Sequence, residues 1–155
     1  MGKTHSIKLD QLTTTPMKEV TIPVIDALID VAESHGYRVR WHKAGPKAAW
    51  IPHLNAISLR VGMDDAQTLC ALAHELGHAY YGDPPGHVGK HERRADEFAA
   101  RLLISPVEYR IAENLHDSNT GAIASELGVT PWILDVWKRL YQQGRIQPES
   151  CLSSA

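Results

Sequence analysis

The pentapeptide His74-Glu75-Leu76-Gly77-His78 constrains this 155-residue chain more than any other stretch of its sequence. Residues four apart lie one above the other on the same face of an α-helix, so His74 and His78 can offer both imidazole rings to one metal ion. Glu75 lies beside them, where its carboxylate can reach a water molecule bound to that ion. This H-E-x-x-H pattern predicts a catalytic zinc site with Glu75 as general base, provided that the segment is helical.

The residues around the pentapeptide predict that helix. Asp64 and Gln67 have the spacing of a capping box at its start. The i, i+3, i+4, i+7 spacing of a core-facing stripe follows in Leu69, Leu72, Ala73, Leu76 and Tyr80. The two histidines face away from that stripe, either into a cleft as metal ligands or into solvent as ordinary surface residues. Gly77 lowers helix propensity by about 1 kcal/mol relative to Ala, so we expect another backbone to approach it closely.

A catalytic zinc ion takes a third protein ligand, and the sequence offers more than one. The extended motif H-E-x-x-H-x-x-G-x-x-H fails, because Tyr81 and Pro84 occupy the positions of its glycine and its third histidine. In the other common arrangement, a glutamate of a following helix is the third ligand. Segment 90–103 is predicted to form such a helix. Glu92 is the preferred ligand there, and Asp96, one turn later, is placed to accept the second ring N–H of a ligand histidine. A solvated charged face is the alternative for both, and the rival third ligands are Asp83, His87 and His91.

The stretches H-E-L-G-H at 74–78 and E-R-R-A-D-E-F-A-A-R-L-L-I-S-P at 92–106 together resemble the two motifs of the ImmA/IrrE family of bacterial and phage metallopeptidases. The resemblance covers roughly residues 20–143. It implies a thermolysin-like zinc site with Glu92 as a ligand and Asp96 in support, although Asn is frequent in the family at the latter position. It also implies a substrate class, namely protein regulators, often helix-turn-helix repressors, that are cut to relieve repression of mobile elements or stress genes.

The whole pattern predicts an α+β fold, in which a small antiparallel or mixed three-stranded sheet precedes a mostly helical, thermolysin-like zinc-peptidase core. After a helix at 23–34, alternation predicts a half-buried strand with Tyr37, Val39 and Trp41 facing inward. Two more strands are expected at 48–51 and 56–61. By analogy with zinc peptidases, an edge strand of residues 48–61 would bind extended substrate by backbone pairing, and a purely structural hairpin is the alternative. The loop 82–89 should border the cleft.

Segment 123–133 resembles a helix-turn-helix, with Gly128 suited to a helix end and Thr130-Pro131 to a new helix start. DNA binding is therefore a second hypothesis. The candidate recognition helix begins with residues that suit packing better than base edges: Trp132, Ile133, Leu134 and Asp135. Its basic residues, Lys138 and Arg139, are late and few, so direct nucleic-acid binding is disfavoured.

Composition excludes several classes of protein. The formal net charge is −2 with 22% charged residues, which does not indicate nonspecific binding to nucleic acid or membrane. The chain has no apolar run of membrane length and no signal-peptide core, and Cys70 and Cys151 form no C-x-x-C pair, so a reduced cytoplasmic protein is expected. We predict flexible tails at 1–15 and 144–155 around one metallopeptidase domain at 16–143, which includes the helical pair 120–143.

These observations and the resemblance predict a zinc-dependent endopeptidase that cuts a separate repressor protein. His74, His78 and Glu92 hold Zn²⁺, and Glu75 takes the proton of the attacking water. The tetrahedral oxyanion also needs a donor, for which the candidates are Tyr81, His87, His91, Tyr109 and His116. The alternatives are a DNA- or regulator-binding protein with a structural or vestigial zinc site, and the metal-bearing partner of a toxin–antitoxin-like pair.

Overall fold

A computed structural model of the chain describes residues 4–7 and 20–148. It shows the α+β fold that the sequence predicts, with a three-stranded mixed sheet and a mostly helical second half. The elements in chain order are β1 Thr4–Ile7, β2 Val20–Pro23, α1 Val24–Ser34, β3 Arg38–His42, β4 Ala48–Ile51, β5 Ala56–Arg60, α2 Asp65–Tyr81, α3 Gly89–Leu103, α4 Pro106–His116, α5 Thr120–Leu127 and α6 Pro131–Gln142. None of the helices in these ranges is both long and apolar enough to span a bilayer.

The three-stranded sheet has the order β3-β5-β4. The central strand β5 pairs in parallel with β3, with Val39 opposite Ile57, and antiparallel with β4, with Trp50 opposite the same residue. A short 3₁₀ turn at Pro52–Leu54 and the left-handed residue Asn55 (φ 51°) connect β4 to β5. The strand order places β4 at one edge of the sheet, and the H-E-x-x-H helix packs against both β4 and β5.

Both ends of the described chain contain structure within segments predicted as tails. β1 pairs antiparallel with β2, with Thr4 opposite Pro23, whereas residues 1–3 and 8–15 lie outside the described residues. Near the other end, Arg145 donates two hydrogen bonds to Glu97, at 3.0 and 2.6 Å. Arg145, in the predicted tail at 144–155, is therefore anchored to α3, and the residues from 149 on, with Cys151, lie outside the described residues.

The predicted start and core face of α2 are confirmed. The Asp64 carboxylate accepts the backbone N–H of Gln67 at 2.8 Å, and the Gln67 side chain accepts the backbone N–H of Asp64 at 3.3 Å. Four stripe residues are buried in the core: Leu69, Leu72, Ala73 and Leu76. The fifth, Tyr80, is 68% exposed, contrary to prediction. It lies in the last turn of α2, where its neighbours are the rings of Tyr81 and Phe98 rather than the core.

Trp41 is a second departure from prediction, since it is 50% exposed at the end of β3. The inward alternation holds for Val39 but breaks afterwards, where His42 is half-buried instead. The His42 ring donates from Nε2 to the carbonyl oxygen of Pro46 at 2.7 Å, and its Nδ1 accepts from the Ser58 hydroxyl at 2.6 Å. These two bonds hold the imidazole inward at the edge of the sheet and leave the neighbouring indole in solvent.

The helices α2 and α3 pack at very short range. A β-carbon added to Gly77 would lie 3.0 Å from the Cα atom of Ala95 and 3.1 Å from Cβ of Phe98. Ala95, Ala99 and Ala100 are completely buried on the facing side of α3. The close backbone approach expected at Gly77 is thus confirmed, and it brings the acidic residues of α3 next to the histidines of α2.

The predicted helical pair is α5 and α6. Gly128 ends α5 in a left-handed conformation (φ 70°), and Thr130 caps α6 by accepting the backbone N–H of Ile133 at 3.4 Å. The completely buried Trp137 donates its indole N–H to the carbonyl oxygen of Ile104 at 3.0 Å, which ties α6 to the end of α3. α6 thereby packs beside α3.

Candidate active site

His74, His78 and Glu92 converge at the junction of α2 and α3. The Nε2 atoms of the two histidines are 3.1 Å apart. One carboxylate oxygen of Glu92 lies 3.2 Å from Nε2 of His74, and the other lies 3.0 Å from Nε2 of His78. One ligand atom from each residue falls within 4.8 Å of the others, so the three could hold one metal ion.

A carboxylate holds each imidazole ring from its other side. His74 donates from Nδ1 to Oδ1 of Asp96 at 2.8 Å, and His78 donates from Nδ1 to Oδ2 of Asp83 at 2.9 Å. An ionised carboxylate can only accept, so the Nδ1 atom of each ring carries the proton and the Nε2 lone pairs face inward. For His74, burial is the largest influence and acts to lower the pKa, but the hydrogen bond to Asp96 and the negative charges of Glu75, Asp96 and Glu92 together outweigh it, so the pKa is raised.

The donor set fits a tetrahedral divalent cation. Two imidazole lone pairs and a carboxylate at 3.0–3.2 Å repel one another unless a positive charge lies between them. Zinc binds such nitrogen and oxygen ligands at about 2.0–2.2 Å, which sets neighbouring ligand atoms of a tetrahedron roughly 3.3 Å apart. We call His74, His78 and Glu92 the ligand triangle. The His78 side chain is only 8% exposed whereas that of Glu92 is 31% exposed, so the ligand triangle is open to solvent on the side of Glu92.

The three rival third ligands lie elsewhere. Asp83 is buried behind His78 and is turned to its Nδ1 atom rather than to the shared centre. The His87 side chain is 87% exposed, and its Nδ1 lies 3.5 Å from Glu92. The Nε2 atom of His91 lies 3.9 Å from Oδ1 of Asp83. Of the candidates named from the sequence, the structure places Glu92 with the two histidines.

Asp83 has a supporting position that the sequence reasoning missed. Burial acts to raise its pKa, but the hydrogen bond from His78 and the positive charge of Arg94 outweigh it, so the pKa of Asp83 is lowered. Arg94 donates to the second oxygen of this carboxylate, and its guanidinium lies 4.0 Å from the centre of the Tyr81 ring. The sequence feature that could indicate this supporting role is the position of Asp83, just past the end of the H-E-x-x-H helix and beside a loop.

Glu75 lies next to the ligand triangle and is half-buried. Burial raises the pKa of its carboxyl group, while the charges of His74 and His78 and a hydrogen bond from the Trp50 backbone act in the opposite direction. The net effect is a raised pKa. Such a group takes up a proton more readily at neutral pH than an exposed glutamate does, which suits a general base.

A cleft of about 720 Å³ adjoins this cluster. Its walls come from the start of β4, the first half of α2 and the first turn of α6. The lining residues include Lys47, Ala48, Cys70, Ala71, His74, Glu75, His87, Asp96, Thr130 and Trp132. The side chains of His74 and Glu75 thus face a space that is large enough for a peptide segment.

The five candidate oxyanion donors are spread over the molecule. His87 is the one of the five that lines this cleft. Tyr81 lies under the Arg94 guanidinium, and His91 faces Asp83. The remaining two have other partners, since the Tyr109 hydroxyl donates to Glu113 at 3.3 Å and the His116 ring is 3.3 Å from Glu126.

Comparison with known proteins agrees with this geometry. Searches of curated proteins and of solved structures each gave no match. A family model for the IrrE N-terminal-like domain, peptidase family M78, matches residues 30–136, which is well over half of the chain and includes α2, α3 and the start of α6. Peptidases of this family are typically metal-dependent. The chain therefore belongs to the M78 peptidase family, the family of IrrE N-terminal-like domains.

Proposed function

We propose that this protein is a zinc-dependent endopeptidase that hydrolyses a peptide bond in another protein. The observation that carries the proposal is the meeting of His74, His78 and Glu92 beside the half-buried carboxyl group of Glu75. These three residues would hold the ion. When bound, zinc lowers the pKa of its water ligand to about 7 and polarises the substrate carbonyl group.

Glu75 is the general base in this proposal. Its carboxylate takes a proton from the attacking water and later passes that proton to the leaving amine. The raised pKa of Glu75 supports both steps, because the group must be able to accept a proton and then release it. The hydrogen bond from the Trp50 backbone holds this carboxylate against the edge strand β4.

The free edge of β4 is the proposed binding site for extended substrate. The carbonyl oxygen of Lys47 accepts the backbone N–H of Arg60 at 2.9 Å, so Lys47 faces β5. Because backbone groups alternate along an antiparallel strand, the N–H and carbonyl groups of Ala48 and the carbonyl group of Trp50 face the free edge, where the Trp50 N–H donates to Glu75. Ala48 also lines the cleft. A substrate strand paired there would run past Glu75, which supports strand addition as the mode of binding.

Membership of this family and the resemblance of the two motifs support a proposal about the substrate class. We infer that the cut protein is a transcriptional regulator, such as a helix-turn-helix repressor of a phage, a mobile element or a stress response. Such a substrate acts in the cytoplasm, so the peptidase would work there as well. Cleavage of the regulator, rather than DNA binding by this chain, would change transcription.

A trapping experiment tests the function. The Glu75→Gln variant should retain zinc and capture its substrate from cells without cutting it. The wild type should then cleave the captured protein at one site in the presence of zinc, and the variant should be at least about 100-fold slower. The matched control is Glu33→Gln, which changes an exposed glutamate on α1 and should not affect the rate. Undiminished cleavage by Glu75→Gln would show that Glu75 is not the base.

A further inference from the structure

We propose that Trp132 is a positioning residue of the peptidase site, which fixes Asp96 and through it His74, and that its ring forms the wall of the cleft that contacts an apolar side chain of the substrate. The proposal rests on the proposed function, and it gives the helix-turn-helix-like pair a role in proteolysis.

The first observation is a chain of hydrogen bonds. The indole N–H of Trp132 donates to Oδ2 of Asp96 at 3.0 Å, and Oδ1 of the same carboxylate accepts from Nδ1 of His74 at 2.8 Å. Both oxygens of Asp96 are therefore engaged, one from α6 and one from α2. The carboxylate cannot rotate without breaking one of these bonds, so Trp132 restricts the orientation in which Asp96 holds the His74 ring.

The second observation is the position of the apolar face of the Trp132 ring. Trp132 is 58% exposed, in contrast to the buried Ile133 and Leu134 that follow it. It lines the same cleft as His74 and Glu75. The other apolar residues that line this cleft include Ala71, Val129, Pro131 and Ile133. A large aromatic surface exposed beside a reactive centre suits contact with an apolar substrate side chain.

The local sequence explains why the indole is held in this position. Thr130 caps α6 and Pro131 is its first residue, so Trp132 lies in the first turn. The backbone N–H of Thr130 donates to Sγ of Cys70 at 3.4 Å, and Cys70 lies one turn before His74 on α2. The tight turn that resembles a DNA-reading motif therefore attaches the start of α6 to the H-E-x-x-H helix.

Metal affinity tests the positioning role without any need for turnover. Trp132→Phe keeps an aromatic ring but removes the N–H group, and we expect it to weaken zinc affinity about tenfold in a competition titration. In an Asp96→Ala background the same change should have no further effect, because Trp132 acts through Asp96. The control is Trp41→Phe, an indole that is 50% exposed and outside the cleft lining, which should bind zinc like the wild type.

Binding of hydroxamates to the zinc-loaded protein tests the apolar wall. We expect the wild type to bind phenylalanine hydroxamate at least about tenfold more tightly than glycine hydroxamate. Trp132→Ala should lose most of this preference, and Trp132→Phe should keep it. The proposal is overturned if Trp132→Phe binds zinc like the wild type, if it weakens zinc equally with and without Asp96, or if Trp132→Ala keeps the preference.

The proposal for Trp132 and the peptidase proposal can be contradicted independently of each other. A protein that binds zinc as expected but cleaves no captured partner would contradict the peptidase proposal, while the titrations would still decide the role of Trp132. Conversely, a protein that cleaves its partner in the trapping experiment but shows no effect of Trp132→Phe on zinc would overturn the proposal for Trp132 and leave the peptidase proposal intact.

Discussion

Gly77 on α2 and Ala95 on α3 face each other so closely that a β-carbon added to the glycine would lie 3.0 Å from the Cα atom of the alanine. This contact sets the separation of the two helices that supply the ligand triangle. His74 and His78 belong to one helix and Glu92 to the other, and their ligand atoms are only 3.0–3.2 Å apart. The geometry of the site therefore depends on the absence of a side chain at Gly77.

Gly77→Ala should weaken zinc binding about tenfold or more. The change gains about 1 kcal/mol of helix propensity, but overpacking costs about 1–3 kcal/mol and is relieved only if α3 moves away with Glu92. Zinc titration and chemical unfolding of the metal-free protein measure the two effects. Gly89→Ala is the control, because a β-carbon at Gly89, the first residue of α3, meets no atom within 4 Å. Unchanged zinc affinity in Gly77→Ala would mean that the helix spacing does not control the site.

Zinc should stabilise the folded protein through the ligand triangle. At a free zinc concentration 100 times the dissociation constant, linkage gives about 2.7 kcal/mol. For a chain of this size that corresponds to a rise in Tm of about 5–10 °C, which a chelator should reverse. His78→Ala should abolish the shift, and His53→Ala, which changes an exposed histidine, should retain it. A full shift in His78→Ala would place the stabilising ion elsewhere.

Local sequence patterns are sufficient to predict α2, because the features that define this helix lie within one segment of the chain. The capping box joins residues three apart, and the histidine pair joins residues four apart. Glu92 required one more step, namely that the next helix packs against α2 with its acidic face toward the histidines. The glycine at position 77 and the family resemblance indicate that arrangement, which contacts such as Gly77 to Ala95 make possible.

The rest of the site depends on contacts between distant segments, which periodicity does not report. Trp132 is 36 positions from Asp96, and its residue type alone predicts a packing role for the indole. The sequence offers Asp83 only as a rival ligand, because its contact with Arg94 forms only in the folded chain. The sequence predicts burial of Tyr80 and Trp41, but both are exposed. A periodic pattern indicates which face of an element is apolar, but not how much of that face the neighbouring elements cover.

Asp83→Asn should weaken zinc binding about tenfold, because the neutral amide holds the His78 ring less firmly and leaves the charge of Arg94 without its partner. Competition titration with a chromophoric chelator measures the change. Asp30→Asn, at an exposed position on α1, provides a comparison that should leave the affinity unaltered. If both variants bind zinc equally well, Asp83 has no part in orienting His78.

The Cys70 thiol should react slowly in the folded protein. Burial raises its pKa, and the hydrogen bond from Thr130 offsets this only in part. Between pH 8 and 9 an unfolded cysteine is substantially ionised, with a pKa of about 8.5, whereas a smaller fraction of folded Cys70 is ionised because its pKa is raised. In a Cys151→Ser background, where Cys70 is the remaining thiol, iodoacetamide should modify the native protein at least about tenfold more slowly than the denatured chain at pH 8.5.

The same shift gives the pH dependence of stability a definite sign. The folded state binds the Cys70 proton more tightly than the unfolded state does, so the stabilisation is complete below about pH 8.5 and is lost as the pH rises through the folded pKa. Cys70→Ala should make the free energy of unfolding less dependent on pH above about pH 8.5. Chemical unfolding at pH 7, 8.5 and 9.5 measures this slope. An identical slope in both proteins, together with equal alkylation rates in the native and denatured states, would mean that the thiol is accessible and titrates normally.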